Sequence, residues 1–396
     1  MDQSFETVIG LEVHAQLMTA SKAFASDPAH FGAEANQHIS AISLAHPGTL
    51  PKINEKIPAF AVRLGLACQC QINRFTYFDR KNYFYPDLPK GYQISQDKEP
   101  ICIGGLVNIY PPQGAPRTIR LHHIHLEEDA GKSIHTQGES ESWIDFNRAG
   151  VALVEMVSEP DLRSPDEAVW FMQEVRRLLR YLEICDGNME EGSLRCDANI
   201  SIRPQGATTL GSRVEIKNMN SLRNLKKALE YEQKRQVSLA QKNESIARET
   251  RTFDASSGKT FGMRLKETLN DYRYFPEPDL CPIVLSESDL ERIKSSLPAL
   301  PWERKEKYQQ DYQLSEYDAQ LLTEDRQIAE YFEAGLAYTK HYKALANWIN
   351  GEIKSYLNTH QMNMADFSLS SQKIAQIIDW IQGGKISQSL AAQQLF

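Results

Sequence analysis

Three stretches of this sequence alternate apolar and polar side chains with a period of two, which predicts β-strands with one buried and one polar face. The polar faces carry Glu12 and His14 in 8–15, Arg195, Asp197, Asn199 and Ser201 in 194–202, and Arg213, Glu215 and Lys217 in 213–217. One such strand is ordinary in a half-exposed sheet. Three of them, with acids, cations and a histidine on the polar side, predict a sheet that lines a charged cleft.

A fourth strand-like stretch, 151–157, places Glu155 between apolar neighbours, so this strand is predicted to be buried on both faces. A buried carboxylate is costly unless it is paired or bound to a metal ion. A structural ion pair and a metal ligand are therefore both open. We favour the metal ligand because other acids and His14 are available, and one imidazole with several carboxylates suits Mg²⁺ or Mn²⁺ better than structural zinc.

Three adjacent acids, Glu127, Glu128 and Asp129, run directly into the Gly-Lys-Ser of 131–133. This segment is not a phosphate-binding P-loop, because Leu126 stands where that loop needs its first glycine. Three acids would also repel a phosphate held on backbone N–H groups. They become useful when a divalent cation lies between them and the phosphate. A solvated acidic turn is the alternative.

The segment 78–93 interleaves cations with aromatic side chains. Arg80, Lys81 and Lys90 are candidates to hold phosphates, and tyrosines such as Tyr83 are candidates to stack on a base. A tyrosine-rich packing cluster is the alternative, and composition alone does not decide between the two.

Two helices are predicted in the first part of the chain, one beginning at Ser164 and one at Ser221. The first carries apolar residues at helical spacing and is predicted to pack on the core. The second presents several lysines and arginines, which form either a solvated face or a set of phosphate contacts.

The composition is that of a soluble globular protein, with 41% apolar and 24% charged residues among 396. No run of about 18 apolar residues predicts a transmembrane helix. The N-terminus lacks the features of a signal peptide, and the six cysteines form no Cys-x-x-Cys pair. We therefore expect a cytoplasmic protein with no membrane partner. The net charge of −8 argues against nonspecific nucleic-acid binding by the whole surface, although a local basic face is compatible with it.

Two prolines, Pro298 and Pro301, predict a linker, and the pattern beyond them is helical. We place one domain at 1–295 and a helical domain at 296–396. The apolar face of one predicted helix in the second domain consists of Leu321, Leu322, Ile328, Tyr331 and Phe332. Residues 387–396 have the pattern of a helix cut in mid-course, which predicts a chain that is truncated or only partly covered.

Eight longer motifs are specific enough to indicate a family. They are IGLEVHAQL (9–17), HPGTLPKIN (46–54), FDRKNYFYPDLPKGYQISQ (78–96), LEEDAGKS (126–133), VEMVSEPDLRSPDEA (154–168), MEEGSLRCDANISIRP (189–204), VEIKNMNS (214–221) and DYRYFPEPDL (271–280). On these motifs the chain resembles the GatB family, the B subunits of the aspartyl/glutamyl-tRNA amidotransferase. The helical part after 300 also fits, with weaker motifs.

The resemblance implies a reaction, cofactors and partners. ATP, with Mg²⁺, phosphorylates the free side-chain carboxylate of Glu or Asp misattached to tRNA, and ammonia then displaces the phosphate to give the amide. The ammonia is released from glutamine by a partner glutaminase, the amidase subunit of the complex, and is channelled across, while a third, small subunit holds the pair together. The other implied partners are tRNA(Gln) and/or tRNA(Asn), with the matching non-discriminating aminoacyl-tRNA synthetase as a further candidate.

The resemblance also implies an α+β fold. An antiparallel-sheet cradle domain carries out the phosphoryl transfer and is followed by an all-helical domain that grips tRNA. The family's further small C-terminal domain is expected to be absent from this chain.

Several residues match positions with known roles in the family. The metal-centred cluster at the channel exit is matched by Glu12, His14, Glu128 and Glu155. The transfer site is matched by Lys81, Asp197 and Glu215, with Glu128 also counted as catalytic. Nucleotide contacts are predicted from Arg80, Lys81, Tyr83 and Lys217. Asp197 and Glu215 are candidates either for the base that deprotonates ammonium or for its guide along the channel, and both roles stay open.

Relatives with a cysteine cluster aligned with 21–46 bind zinc there. This sequence has no cysteine in that stretch, so we predict no zinc site. Two rival functions stay open, a stand-alone ATP-dependent carboxylate–amine ligase for a small molecule and a noncatalytic tRNA-binding module. The acid cluster argues against the second, because a pure nucleic-acid binder gains nothing from carboxylates in its cleft.

Overall fold

The structure is a computed structural model, and it describes residues 4–135, 141–265 and 272–395. Asp271, the first residue of the DYRYFPEPDL motif, lies outside the described residues. The chain divides into two compact units between Leu297 and Pro298, the first of the two prolines that predict the linker. Within the described ranges, no helix is both long and apolar enough to cross a membrane.

The first unit combines strands and helices throughout its length. Its elements are β1 (Phe5–Gln16), α1 (Lys56–Ala67), β2 (Gln71–Ile72), β3 (Phe75–Thr76), β4 (Asp79–Asn82), β5 (Tyr92–Ser95), β6 (Cys102–Ile103), β7 (Leu106–Ile109), β8 (Arg117–Glu128), β9 (Lys132–His135), β10 (Ser142–Asp145), β11 (Ala152–Ser158), α2 (Pro165–Tyr181), β12 (Leu194–Pro204), β13 (Val214–Lys217), α3 (Leu222–Gln241), β14 (Glu249–Asp254), β15 (Lys259–Leu265), β16 (Phe275–Pro276), β17 (Ile283–Val284) and α4 (Glu287–Ser295).

One large sheet organises this unit, and ten of the strands within the described ranges belong to it. Its order is β15-β14-β13-β12-β1-β11-β8-β6-β2, with β7 paired to β8, and β13–β14 is its parallel pair. Three smaller sheets join β9 with β10, β3 with β17, and β4 with both β5 and β16. A sheet unit followed by helices confirms the α+β class, while the cradle shape stays a prediction.

The predicted alternation along the strands is confirmed. Leu11, Val13 and Ala15 of β1 are buried on one face of the sheet, and Glu12 and His14 lie on the other. On the apolar face, α2 packs against β1 and α3 packs against β12. The polar side chains of β1, β8, β11, β12 and β13 are therefore gathered on the opposite face.

Both predicted helices of the first unit begin where the sequence indicates. The Ser164 hydroxyl accepts a hydrogen bond from the Glu167 N–H at the start of α2, and Ser221 accepts one from Asn224 at the start of α3. Such caps satisfy N–H groups that the first helical turn leaves without a partner.

The second unit is helical. Its α-helices are α5 (Pro301–Tyr312), α6 (Glu316–Leu322), α7 (Arg326–Gly335), α8 (Tyr342–Trp348), α9 (Lys354–His360), α10 (Ser371–Gln382) and α11 (Gln388–Leu390). Aromatic and aliphatic side chains such as Tyr308, Phe332 and Ile378 form its core.

The apolar face predicted for one helix belongs to two. Leu321 and Leu322 end α6, whereas Ile328 and Phe332 lie on α7. One helix ends and another begins between them, because the Asp325 carboxylate accepts hydrogen bonds from two N–H groups of the next turn and so caps the start of α7.

A long segment without regular helices or strands runs from β1 to α1, and a buried lysine fastens it. Lys22 is 0% exposed, and its ammonium donates to the carbonyl oxygens of His38 (2.6 Å) and Phe146 (3.2 Å). Burial lowers the pKa of Lys22 to about 8, although the Asp27 carboxylate 4.0 Å away opposes the shift. The Lys22 ammonium thus links this segment to the turn before β11, and burying its charge lowers the stability of the folded protein.

This cation gives a testable pH dependence. Between about pH 8 and pH 10.5 the unfolded chain keeps the Lys22 proton while the folded protein releases it, so the free energy of unfolding should rise with pH through this window. Lys22→Met should flatten the rise when urea unfolding is followed across the window. The exposed Lys242→Met is the matched control, and the same slope in both variants would contradict the assignment.

Candidate functional site

The antiparallel register places one row of charged side chains across four neighbouring strands. His14 of β1 pairs with Glu155 of β11 on one side and with Arg195 of β12 on the other, and Glu155 pairs in turn with His125 of β8. Directly opposite residues on one face of a sheet are close enough for their side chains to interact. The strand pairing therefore assembles a site from residues more than 100 positions apart.

A first cluster of candidate metal ligands consists of His14, Glu127 and Glu155. The His14 Nε2 atom lies 3.1 Å from a Glu155 oxygen and 3.7 Å from a Glu127 oxygen. One ligand atom from each residue falls within 4.8 Å of the others. His125 flanks the two acids, with its Nε2 atom 3.4 Å from Glu155 and 3.5 Å from Glu127.

Mutual charge stabilisation dominates the electrostatics of this cluster. Burial alone would lower the pKa of His14, but Glu155 and then Glu127 raise it to about 9. Burial would raise the pKa of Glu155, but the imidazoles of His14 and His125 hold it well below its ordinary value. Glu155 is therefore both ion-paired and a candidate ligand, so the two interpretations of the sequence coexist at this residue.

A second cluster lies beside the first on the same face and consists of Glu12, Asp197 and Glu215, whose candidate ligand atoms also fall within 4.8 Å of one another. The Lys217 ammonium pairs with Asp197 and lies 3.4 Å from Glu215. Burial, followed by the charges of Glu155 and Asp197, raises the pKa of Glu12. A divalent cation would relieve this repulsion, so the donor sets of both clusters fit Mg²⁺ or Mn²⁺.

The predicted metal set of Glu12, His14, Glu128 and Glu155 is not one cluster. Glu12 lies in the second group, and Glu127 occupies the place predicted for Glu128 beside His14 and Glu155. Successive residues of β8 point to opposite faces, so only one of two adjacent glutamates reaches the polar face. The alternative of a solvated acidic turn is excluded, because Glu127, Glu128 and Asp129 are 2–5% exposed.

Glu128 belongs to a different site on the other face of β8. Its carboxylate accepts a hydrogen bond from the Ile94 N–H (2.9 Å) and pairs with the Lys90 ammonium. With Lys22, it lines a cavity of about 200 Å³ between β8, β5 and the segment after β1. Glu127 and His125 are the site residues that sequence reasoning missed. The alternation His125, Glu127 in a strand that ends in Glu128 was the signal for both.

The segment 78–93 divides its cations between two faces of β4. Burial alone would lower the pKa of Lys81, but nearby tyrosines and carboxylates, including Glu127, raise it above its ordinary value, so Lys81 is a charged neighbour of the first cluster. The hydroxyl of Tyr83, two residues further along the chain, also interacts electrostatically with Lys81 and Glu127. The structure brings both residues to the candidate site.

Arg80 faces away from that site. Its guanidinium donates to both oxygens of Glu277 at 2.8 and 2.9 Å and lies over the Tyr92 ring. Arg80 is therefore held in an intramolecular ion pair, and its predicted nucleotide contact stays a prediction. Arg213 lies just before β13 and is exposed.

Cations on helix α3 also find partners within the protein. Lys226 donates to Asp166 of α2 at 2.5 Å, and Arg235 pairs with Glu232 and Glu249. These ion pairs account for two of the cations from which phosphate contact was considered.

The polar face of the sheet opens into a cavity of about 780 Å³. Its lining includes His14, Asp197, Arg148 and Arg195, together with the loops 29–33, 189–192 and 218–220. A volume of this size is in the range of small-molecule and cofactor sites. The structure thus combines two acidic clusters, flanking cations and room for a substrate.

Glu127 and Glu128 differ in their expected effect on metal binding. Glu127→Gln should weaken Mn²⁺ binding by at least about tenfold, because a ligand and its negative charge are lost. Glu128→Gln should leave the affinity within about twofold, because its carboxylate faces the other cavity. Calorimetric titration of Mn²⁺ into each variant measures both. Equal losses would contradict the division of the two acids between the faces.

Comparisons with known proteins agree with the resemblance seen in the motifs. Residues 7–291 match the family model of the GatB/GatE catalytic domain, and residues 330–396 match that of the GatB domain. The B subunit of aspartyl/glutamyl-tRNA(Asn/Gln) amidotransferase from Synechococcus sp. (strain JA-2-3B'a(2-13)) is 50% identical over 396 residues, which cover 99% of this chain and 81% of the relative. Its counterpart from Thermodesulfovibrio yellowstonii is 49% identical over 389 residues, covering 98% of this chain and 82% of the relative. The matched length and the identity together establish that this chain belongs to the GatB family.

Proposed function

We propose that this chain carries out the ATP-dependent transamidation of misacylated Glu-tRNA(Gln) and/or Asp-tRNA(Asn). The observation that carries the proposal is the pair of adjacent ligand clusters, His14–Glu127–Glu155 and Glu12–Asp197–Glu215, on one sheet face, from which His14 and Asp197 contribute to the wall of one cavity. Phosphoryl transfer depends on positioning and charge stabilisation, which such a wall supplies. The names of the relatives support tRNA as the carrier of the substrate.

In the first step, an oxygen of the side-chain carboxylate attacks the γ-phosphorus of ATP, the bond to the β-phosphate oxygen breaks, and ADP leaves. Mg²⁺ held by the two clusters would neutralise phosphate charge and orient the phosphates. Lys81 and Lys217 lie beside the clusters as fixed positive charges, and both are candidates to contact the transferring group. Tyr83 adds an aromatic surface next to Lys81 for the nucleotide.

In the second step, ammonia attacks the carbonyl carbon of the acyl phosphate, the bond to the phosphate oxygen breaks, and inorganic phosphate leaves. The nitrogen must lose a proton to give the neutral amide. Asp197 and Glu215 are the candidates to accept this proton or to hold incoming ammonium, because both are acids of the second cluster.

Ammonia is proposed to arrive through the smaller cavity, the one of about 200 Å³ lined by Lys22, Lys90 and Glu128. The Lys90–Glu128 ion pair is part of the lining of this cavity, and Glu128 is the next residue after Glu127 on β8. Strand β8 therefore separates a candidate supply route from the transfer site. The ammonia would come from glutamine cleaved by the partner amidase, with the third, small subunit completing the complex.

The complex purified with its amidase and small-subunit partners provides the decisive assay. We expect amide formation on Glu-tRNA(Gln), on Asp-tRNA(Asn), or on both, only when ATP is present. Glu155→Gln should abolish ATP cleavage and amide formation and leave glutaminase activity largely intact, because the buried acid lies at the transfer site. Formation of glutamine or asparagine on the tRNA is measured by chromatography of the amino acid after its release from the tRNA.

The exposed Glu244→Gln serves as the matched control for Glu155→Gln. Normal transamidation by Glu155→Gln would overturn the placement of the transfer site. Amidation of free glutamate without tRNA would instead favour a small-molecule ligase, and tRNA binding without ATP cleavage would favour a noncatalytic module.

A second assay tests the ammonia route. Glu128→Gln should reduce amidation from glutamine by at least about tenfold, since one broken charge-assisted hydrogen bond is worth roughly that factor. Added ammonium chloride should support amidation by the same variant at close to the wild-type rate. An equal loss with both nitrogen sources would return Glu128 to the transfer chemistry.

A further inference from the structure

Asp129, the third acid of the Glu-Glu-Asp run, holds two arginines together on the cavity wall. Its carboxylate is 5% exposed and lies 3.0 Å from the Arg195 guanidinium and 3.7 Å from that of Arg148. Gln16 donates a third contact to it at 2.9 Å. Two guanidinium groups thus share one buried carboxylate, and the trio carries one surplus positive charge.

The two arginines are held rigidly and face the larger cavity. Arg148 donates to the carbonyl oxygens of Ala130 (2.9 Å) and Gly131 (2.6 Å), which fixes the plane of its guanidinium. Arg148 and Arg195 are each about one third exposed and line the cavity of about 780 Å³. A fixed guanidinium fork is suited to bidentate contact with a carboxylate or a phosphate.

The arginine pair and the acidic clusters give the cavity wall one basic end and one acidic end. Arg195 is the direct cross-strand neighbour of His14 and lies two residues before Asp197 on the same face of β12. The basic end of the wall at Arg195 therefore lies about 7 Å along the strand from Asp197 at its acidic end, with His14 of the first cluster directly beside Arg195. The lining also contains the cation Lys132 and the anions Asp145, Glu190 and Glu191. The arginine pair differs from Lys132 in sharing one buried carboxylate, that of Asp129.

We propose that Arg148 and Arg195 bind the side-chain carboxylate of the aminoacyl group that is to be amidated. The inference rests on the proposed transamidation and adds to it the residues that choose the substrate. With the phosphates at the acidic end and the carboxylate at the basic end, the two reactants meet beside His14. Asp129 is a positioning residue, because it reaches the substrate only through the two arginines.

The arrangement distinguishes the substrate from the product. Glu-tRNA and Asp-tRNA carry a negative side chain, whereas the amidated products are neutral and nearly the same size. A guanidinium pair binds the anion and loses most of its interaction once the amide has formed. The same residues therefore select misacylated tRNA and favour release of the corrected one.

The affinity of the complex for aminoacyl-tRNA, measured in the absence of ATP and glutamine, tests the proposed carboxylate site without the reaction taking place. The probes are tRNA(Gln) carrying glutamate or glutamine through a stable 3′-amide link, together with uncharged tRNA(Gln), each titrated into the purified complex. The wild type should bind the glutamate form roughly tenfold or more tightly than the glutamine form, as expected for charge-assisted hydrogen bonds. Equal binding of the two forms by the wild type would overturn the proposal.

Variants locate the preference. Arg195→Gln should bring the two affinities together and leave the affinity for uncharged tRNA unchanged, while Arg195→Lys, which keeps the charge, should retain part of the preference. Arg120→Gln, which removes a surface arginine paired with Asp161, is the matched control and should keep the wild-type preference. Asp129→Asn should raise the KM for Glu-tRNA with little change in kcat, because it alters arginine placement rather than transfer.

Other outcomes contradict the assignment in distinct ways. A loss of affinity for uncharged tRNA in Arg195→Gln would assign the pair to a backbone phosphate, and a rise in the KM for ATP alone would assign it to the nucleotide. Failure of the wild type to form amide while it still prefers the glutamate form would overturn the proposed reaction and keep the carboxylate site. If a glutamine variant fails to fold, the wild-type comparison and Arg195→Lys still decide.

Discussion

Four acids, Glu12, Glu127, Glu155 and Glu215, lie largely buried on one face of a single sheet, and the rest of the site is arranged around their charge. Carboxylates this close together would repel each other and resist burial without positive partners. The imidazoles of His14 and His125 come from strands next to that of Glu155, and the ammonium of Lys217 comes from the strand that carries Glu215. Helices α2 and α3 cover the opposite face, so the acids can stay on the side that opens into the cavity.

Consecutive residues of β8 separate two functions in the proposed reaction. Glu127 faces the polar side with His14, and Glu128 faces the smaller cavity with Lys90. A strand changes face at every residue, so two adjacent glutamates reach two different sites with no extra structure. Asp129, just past the strand, holds the arginine pair. The acidic run therefore contributes one residue each to the proposed cation site, the proposed ammonia route and the proposed recognition of the substrate carboxylate.

The faces of the strands and the starts of the helices could be predicted from the sequence, because both are determined by neighbouring residues in the chain. Alternation along 8–15 fixes Glu12 and His14 on one face, and the serines at 164 and 221 fix two helix starts. The register between strands is not local. It decides that His14 meets Glu155 and Glu127 rather than Glu128, and that Arg80 meets Glu277 on the far side of β4 from Lys81. The break between α6 and α7 was missed because Asp325 starts a new helix within an apolar pattern that continues across it.

The proposed reaction depends on cation binding at the two acidic clusters on this sheet face. Anomalous diffraction from crystals of the chain or its complex grown with Mn²⁺ tests it most directly. We expect an anomalous peak bounded by His14 Nε2 and the carboxylates of Glu127 and Glu155, with a second at Glu12, Asp197 and Glu215 when nucleotide is present. Manganese bound at Glu128, or no peak on the polar face at saturating Mn²⁺ and nucleotide, would contradict it.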